Sequence, residues 1–270
     1  MKTREIYRIW TLVAATILIA GAASAGDLGE WGDAPEGAIA YPSTGVIGGF
    51  PTCQNTGPSL WIWHSPLCWA YFGPSFDFET EGNAGLCGMF PPYDADECFN
   101  DNDAGLIVPP AYTIVPAGGG LQVVPCQDPG GVLGNVCTLG TWGANVDIWV
   151  TNTMPVDGYF NWLVDWNHDG FWAGASNCPG AMVPEHVVVN WLVPMGFSGP
   201  ISALGLPPFL LGPHDGYTWT RFSITEQPVP GNWDGSGLFE DGETEDYLLL
   251  VLDDTAVERT DWGTVKSLYR

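Results

Sequence analysis

Two acidic constellations in this chain have the spacing of cation ligands. Asp165-Trp-Asn167-His-Asp169-Gly170 sets oxygen-bearing side chains at alternate positions and ends them on glycine. Alternate oxygens face one ion, the glycine permits the sharp turn of a calcium loop, and Phe171 would add its backbone carbonyl. The loop is not a complete EF-hand, because its twelfth position is Ser176 and no helical pattern flanks it. A closing carboxylate must come from elsewhere. The expected source is the segment 237–250, where Glu240, Asp241, Glu243, Glu245 and Asp246 put five carboxylates into seven residues. Like charges that close repel one another unless a cation sits among them. The expectation is calcium held by Asp165, Asn167, Asp169, the Phe171 carbonyl, Glu243, Glu245 and Asp246. The plain alternative is a solvated, Asx-rich hairpin turn without metal.

Other candidates are weaker. Asp101 and Asp103, in a loop ending on Gly105, offer a second calcium site or a solvated acidic loop. Asp77, Glu79 and Glu81 alternate as on the outer face of a strand, and Asn232, Asp234 and Ser236 read as a turn. Arg221 is the only basic residue between Arg8 and Arg259. It suits a structural ion pair, or a clamp on an anionic ligand. Trp61, Trp63 and Trp69 cluster near His64 and could stack on sugar rings as a glycan platform, although core packing explains most tryptophans. Catalytic signals are thin. His64, His168, His186 and His214 form no H-E-x-x-H, no G-x-S-x-G elbow is present, and no carboxylate pair is marked out for glycoside hydrolysis. Glu185-His186 reads as the exposed start of a strand. An extracellular hydrolase is therefore the last of the readings, and the chain is expected not to be an enzyme.

Composition narrows the setting. Residues 1–25 have a basic start (Lys2, Arg4, Arg8), an apolar run and the small-residue ending Ala23-Ser24-Ala25, as a secretory signal peptide does. Without them the chain keeps 4 Lys+Arg against 30 Asp+Glu, a net charge of −26. That excludes nucleic acid, which needs a basic face, and disfavours anionic lipid. High aromatic content argues against disorder. No other apolar run is long enough for a membrane span. An exported chain is secreted or held at the cell surface, where disulfides are expected. Sequential pairing, Cys53–Cys68, Cys87–Cys98 and Cys126–Cys137, is the simplest and leaves Cys178 over, though sequence alone does not fix connectivity. No two cysteines have the C-x2-C or C-x4-C spacing of a zinc site.

The elements that would position these groups are strands. Glycine and proline punctuate short runs rich in β-branched and aromatic residues, an all-β signature. Strands are expected at 145–151, 158–165, 185–193, 217–224 and 245–252. The run 217–224 alternates, with Thr218, Thr220, Phe222 and Ile224 on one side and Tyr217, Trp219, Arg221 and Ser223 on the other. The expected fold is an all-β antiparallel sandwich. A loop-rich, disulfide-bearing region spans 26–140, the best strands lie in 141–252, and no linker separates the two. The tail 253–270 carries three of the four basic residues left after residue 25. It could cap a short amphipathic helix and serve as an export or assembly address, or simply fray.

Gly242-Glu243-Thr244-Glu245-Asp246-Tyr247, running into an apolar strand, resembles the G-E-V-E-D-Y signature of the GEVED domain family. Further features occur in that family's order. Asp165–Gly170 resembles its D-x-N-x-D-G loop, and Thr220–Ile224 its R-x-R-x-S strand. Trp31-Gly32-Asp33-Ala34-Pro35 with Tyr41-Pro42 resembles its F-G-D-A-P … Y-P-T opening, and 73–82 the L-G-x-x-x-D-x-E-x-D-G that follows. The resemblance covers most of 29–252. It implies a β-sandwich module of secreted or surface-attached bacterial proteins, adhesin-like and non-catalytic. Its partner would be a surface glycan or another extracellular protein. The chain departs in having Thr244 where valine is usual, in the cysteines and tryptophans of 53–98, and in standing nearly alone.

Overall fold

The computed structural model describes residues 28–54, 60–73, 75, 76, 78, 81, 82, 105–108, 112–117, 120–125 and 132–253. The signal-like segment, Asp101, Asp103, Cys87, Cys98, Cys126 and the tail after 253 lie outside them. The described chain is all-β. In order its strands are β1 (Glu36–Tyr41), β2 (Val46–Gly49), β3 (Ile62–His64), β4 (Ala70–Phe72), β5 (Leu106–Val108), β6 (Tyr112–Ala117), β7 (Gly120–Pro125), β8 (Val132–Asn135), β9 (Leu139–Gly140) and β10 (Asp147–Asn152). They continue as β11 (Gly158–Val164), β12 (Ala175–Cys178), β13 (Ala181–Pro184), β14 (His186–Val193), β15 (Ser198–Pro200), β16 (Phe209–Leu210), β17 (Gly216–Thr225), β18 (Gly237–Phe239) and β19 (Gly242–Leu252). Ile201–Leu204 is a single 3-10 turn. No helix among the described residues is long and apolar enough to cross a membrane.

A five-stranded sheet ordered β14-β11-β17-β19-β8 carries the architecture. Its pairings are antiparallel except for β8, which joins β19 in parallel. Facing it is a sheet ordered β15-β10-β4, with β5 also paired to β10. The apolar alternation of each strand fills the space between them. Phe160, Trp162, Phe222, Ile224, Tyr247 and Leu249 from the first sheet meet Phe72, Ile148 and Val150 from the second. Trp162 stacks on Phe222 with ring centroids 5.6 Å apart and planes 4° from parallel. The loop-rich region is not separate from this core, since β4, β5 and β8 belong to the two sheets.

The alternation in β17 holds, but from Thr218 to Thr225 both sides of it are buried, and only its first two residues reach solvent. Its second face, with Trp219, Arg221 and Ser223, is covered by the segment around β1 and β2. Ala34, Ala40, Tyr41 and Phe50 pack there with Leu163, Trp172, Trp219 and Trp233 in a second core. A sheet buried on both faces must satisfy every polar group it carries within the protein. Arg221 shows how. Its Nε and Nη2 donate to Asp246 Oδ1 (2.8 Å) and Oδ2 (2.6 Å), and Nη1 donates to the carbonyls of Pro51 (2.7 Å) and Gly235 (2.8 Å). Its guanidinium lies over the Trp172 ring, 4.3 Å from the centroid. Asp246 Oδ2 also accepts the backbone N–H groups of Asp33 and Ala34, both at 2.8 Å. A Cβ on Gly32 would fall 2.0 Å from Arg221 Nη2, so only glycine lets the chain pass there.

The sequential disulfide pairing is corrected. Cys137 bonds Cys178, 41 residues away, and Cys68 is a free, buried thiol. Cys126–Cys137 and Cys53–Cys68 are therefore excluded, although Cys53 is itself disulfide-bonded. Cys178 is not left over, because β12 and β13 form a hairpin that carries it back over the main core.

Arg221→Met should destabilise the protein by about 3–5 kcal/mol, the range for breaking a buried pair and stranding its partner. Urea unfolding checks this; a loss under about 1 kcal/mol would show that the pair is not what holds the second face.

Candidate metal centre

The D-x-N-x-D-G loop forms where strand geometry ends. β11 stops at Val164, and His168 (φ 57°) and Gly170 (φ 88°) enter the left-handed region that reverses the chain. Gly170 is also required by space, since a Cβ there would lie 2.7 Å from the Ile47 carbonyl oxygen. The loop organises itself around its acidic side chains. Asp165 Oδ1 accepts from the Asp169 amide (3.1 Å), and Oδ2 from the Gly170 amide (2.8 Å) and the Tyr41 hydroxyl (2.9 Å). Asn167 Oδ1 accepts from the Asp169 amide (2.7 Å), and Asp169 Oδ1 from the Phe171 amide (3.0 Å). Tyr41 also stacks on His168, 4.4 Å between centroids. Asp165 is fully buried, while Asp169 and Phe171 are exposed.

The acidic run does not come to this loop. β19 begins at Gly242, so most of the run is strand, and alternation sends its carboxylates to opposite faces. Asp246 turns toward Arg221 on one face. Glu243 turns to the other, where Oε2 accepts the Phe72 amide in a short contact. Asp241 Oδ1 accepts the amides of Trp69 (2.7 Å), Ala70 (3.3 Å) and Gly242 (2.8 Å). Backbone donors and one guanidinium thus answer the crowded charges. The seven-ligand set is corrected for that reason: Glu243 and Asp246 turn to opposite faces of β19, toward the Phe72 amide and Arg221, and do not meet around one ion.

Thr244, where the chain departs from the signature it resembles, has a structural role. Its hydroxyl lies 2.9 Å from both His64 Nε2 and Ser223 Oγ, and His64 Nδ1 lies 3.2 Å from the Asp241 carbonyl. Nδ1–H donating to that carbonyl and Nε2 accepting from Thr244 fit a neutral imidazole. Burial is the main cause that lowers the His64 pKa, to about 3.

Glu185 is the residue the sequence reading missed. It is 0 % exposed, not the start of an exposed edge. Its amide donates to the Gly174 carbonyl (3.1 Å) and its carbonyl accepts from Val164 (2.9 Å), which fixes it beside the end of β11. Neither carboxylate oxygen has a hydrogen-bond partner. The Gly174 and Asn167 amides lie near enough to favour its charged form without completing a bond. A Cβ on Gly174 would sit 2.7 Å from Glu185 Oε2 and 3.4 Å from Asn167 Nδ2, so the carboxylate faces the loop. Burial first, then the charges of Asp165 and Asp169, raise its pKa to about 8. Burial likewise raises Asp165 to about 7, against the opposing Tyr41 and Gly170 hydrogen bonds. The one sequence signal for Glu185 is a carboxylate at the start of a strand that follows the loop.

Among the described residues, one trio of His, Cys, Asp or Glu side chains brings its ligand atoms within 4.8 Å of one another: Glu30, Cys68 and Glu243. Burial, then the carboxylates of Glu243, Glu30, Asp241 and Glu245, push the Cys68 thiol far up. Sulfur does not suit calcium, so this trio is not the all-oxygen site that the loop's spacing implies. Asp165, Asp169 and Glu185 are spaced more widely than this trio, with the Asp169 oxygens accepting from the Phe171 amide and from Asn167 Nδ2. Trp61, Trp63 and Trp69 do not form an exposed row: Trp61 and Trp63 are half-buried, and only Trp69 is open, at 46 %. Half of the described tryptophans, Trp31, Trp162, Trp166, Trp172, Trp219 and Trp233, are buried in the cores.

Compared with family models, curated proteins and solved structures, the chain matches none.

Below pH 6.5 the unfolded chain protonates His64 while the folded protein holds it neutral down to about pH 3. The stability is fully present above 6.5 and is lost as pH falls through that window. His64→Gln should flatten the acid limb of melting temperature against pH between 6 and about 3; an unchanged limb would show that His64 does not contribute to it.

Proposed function

We propose that this chain is a secreted or cell-surface, calcium-stabilised β-sandwich that acts as a non-catalytic structural or binding module, adhesin-like in kind. The observation that carries the reading is the Asp165–Gly170 loop, which gathers oxygen ligands at the end of the central sheet in a region almost without basic residues. Arg221 is the only Lys or Arg in 28–253, and its guanidinium is bound to Asp246. Among the described residues no other Lys or Arg is left to balance the loop, and a hard divalent cation with oxygen ligands suits the donor set. Calcium would use Asp165, Asn167, Asp169 and the Phe171 carbonyl to tie the β11 end to Tyr41 and the covering segment. The resemblance of Gly242–Tyr247 to the GEVED signature supports the surface-module reading. Three segments of that resemblance meet in space: Asp33 and Ala34, Arg221, and Asp246 form one hydrogen-bonded group. The buried acidic side chains support a structural role, because Glu36, Asp241, Glu243 and Asp246 each accept backbone amides.

A ligand that binds only the folded state at a hundredfold excess over its dissociation constant adds about 2.7 kcal/mol. Removing calcium with a chelator should lower the melting temperature by about 5–10 °C for a protein of this size. Differential scanning calorimetry with and without chelator tests it, and an unchanged transition would sink the calcium reading.

A second reading is favoured by one surface. Trp69 and Tyr71 on the β4 side, and Trp149 and Thr151 on β10, share the outer face of the second sheet with Ser198, and Phe76 packs edge-on to Tyr71. Trp149 and Phe76 are 39 % and 37 % exposed. Flat aromatic faces beside hydroxyls suit neutral sugar rings. A glycan array should show ligands that Trp149→Ala and Trp69→Ala each lose; an array without signal removes this reading.

A further inference from the structure

We propose that Glu185 is the closing carboxylate of a calcium site whose other side-chain ligands are Asp165, Asn167 and Asp169. The proposal rests on the calcium reading above and names the ligand that the loop lacks. A calcium loop of this spacing needs a further carboxylate beyond its alternate oxygens to complete six to eight oxygen ligands. Ser176 stands at the position where an EF-hand supplies it. Glu185 supplies it instead from across a hairpin. The chain leaves the loop, runs out along β12 and back along β13, and returns to the loop at Glu185.

Four observations place Glu185 in this role. Its side chain is fully buried and faces the loop across Gly174 and Asn167. Neither of its oxygens completes a hydrogen bond of full geometry, although the Gly174 and Asn167 amides lie near, and a buried carboxylate so weakly answered is costly. Its backbone is fixed on both sides, to Gly174 and to Val164, so the carboxylate is held near the loop by the same pairing that ends β11. Asp165 and Asp169 are the charges that bear on it, and no basic side chain does. A buried carboxylate next to two others is stable as a neutral acid or beside a cation. The D-x-N-x-D-G spacing favours the cation, since it sets oxygen-bearing side chains at alternate positions of one turn. Glycine at 174 leaves room for the Glu185 carboxylate, which a Cβ there would approach to 2.7 Å.

The test is calcium titration by isothermal calorimetry on the full chain after chelator treatment, comparing the parent with Glu185→Gln and Asp165→Asn, with melting temperatures in calcium and in chelator. Glutamine keeps the shape of glutamate, so Glu185→Gln should fold and melt in chelator at or above the parent temperature. In calcium it should bind at least about tenfold more weakly and lose the calcium-dependent rise in melting temperature. Asp165→Asn should weaken calcium in the same way. If the parent binds calcium and Glu185→Gln binds it equally well, Glu185 is a buried neutral acid and this inference falls while the calcium reading stands. If the parent binds no calcium, the reading falls and takes this inference with it.

Discussion

The buried Arg221–Asp246 pair is the interaction on which the rest of the structure depends. A single guanidinium, fully enclosed, reaches the last strand, the carbonyls of Pro51 and Gly235, and the ring of Trp172. Its partner carboxylate in turn binds the amides of Asp33 and Ala34. The pair therefore joins the central sheet to the segment that covers its second face. Breaking up such a group would leave a charge without water or partner, which is why the covering segment and the sheet behave as one packed body. Where the two strands β17 and β19 cross this pair, their register sets Arg221 directly opposite Asp246.

The remaining acidity is distributed by the same logic. A run of carboxylates that would repel as a cluster is drawn into a strand, and alternation splits it between faces. Backbone amides then meet it from loops that would otherwise lack acceptors. Asp241 organises the entry to β4, Glu243 the end of that strand, and Glu36 the turn through Thr52 and Cys53. Acidic side chains act here as anchors for irregular backbone. At the Asp165 loop the charges of Asp165 and Asp169 bear on Glu185, and among the described residues the one guanidinium, Arg221, is already bound to Asp246.

Much of the fold was legible in the chain. The strands expected at 145–151, 158–165, 185–193 and 217–224 appear within a residue or two, because period-two alternation and flanking glycines are local signals. The last strand begins earlier than 245, at Gly242, because its carboxylates find partners that only the folded sheet supplies. The exposed edge expected at Glu185 is a buried corner, because the loop folds back over it. The cysteine pairing failed for a similar reason: nearness in sequence predicts loop closure, whereas the β12–β13 hairpin brings Cys178 to Cys137.

By itself the sequence determined the all-β class, the strand faces, the turn at Asp165–Gly170 and the near absence of basic residues. These follow from side-chain period, glycine conformation and composition, which are properties of neighbouring residues. The tertiary structure decided which carboxylate meets which donor. It sent Asp246 to Arg221 and Glu243 to Phe72, and it brought Glu185 to the loop. Those choices depend on which sheet face is covered and on how a hairpin returns, and both are set by contacts between residues far apart in the chain.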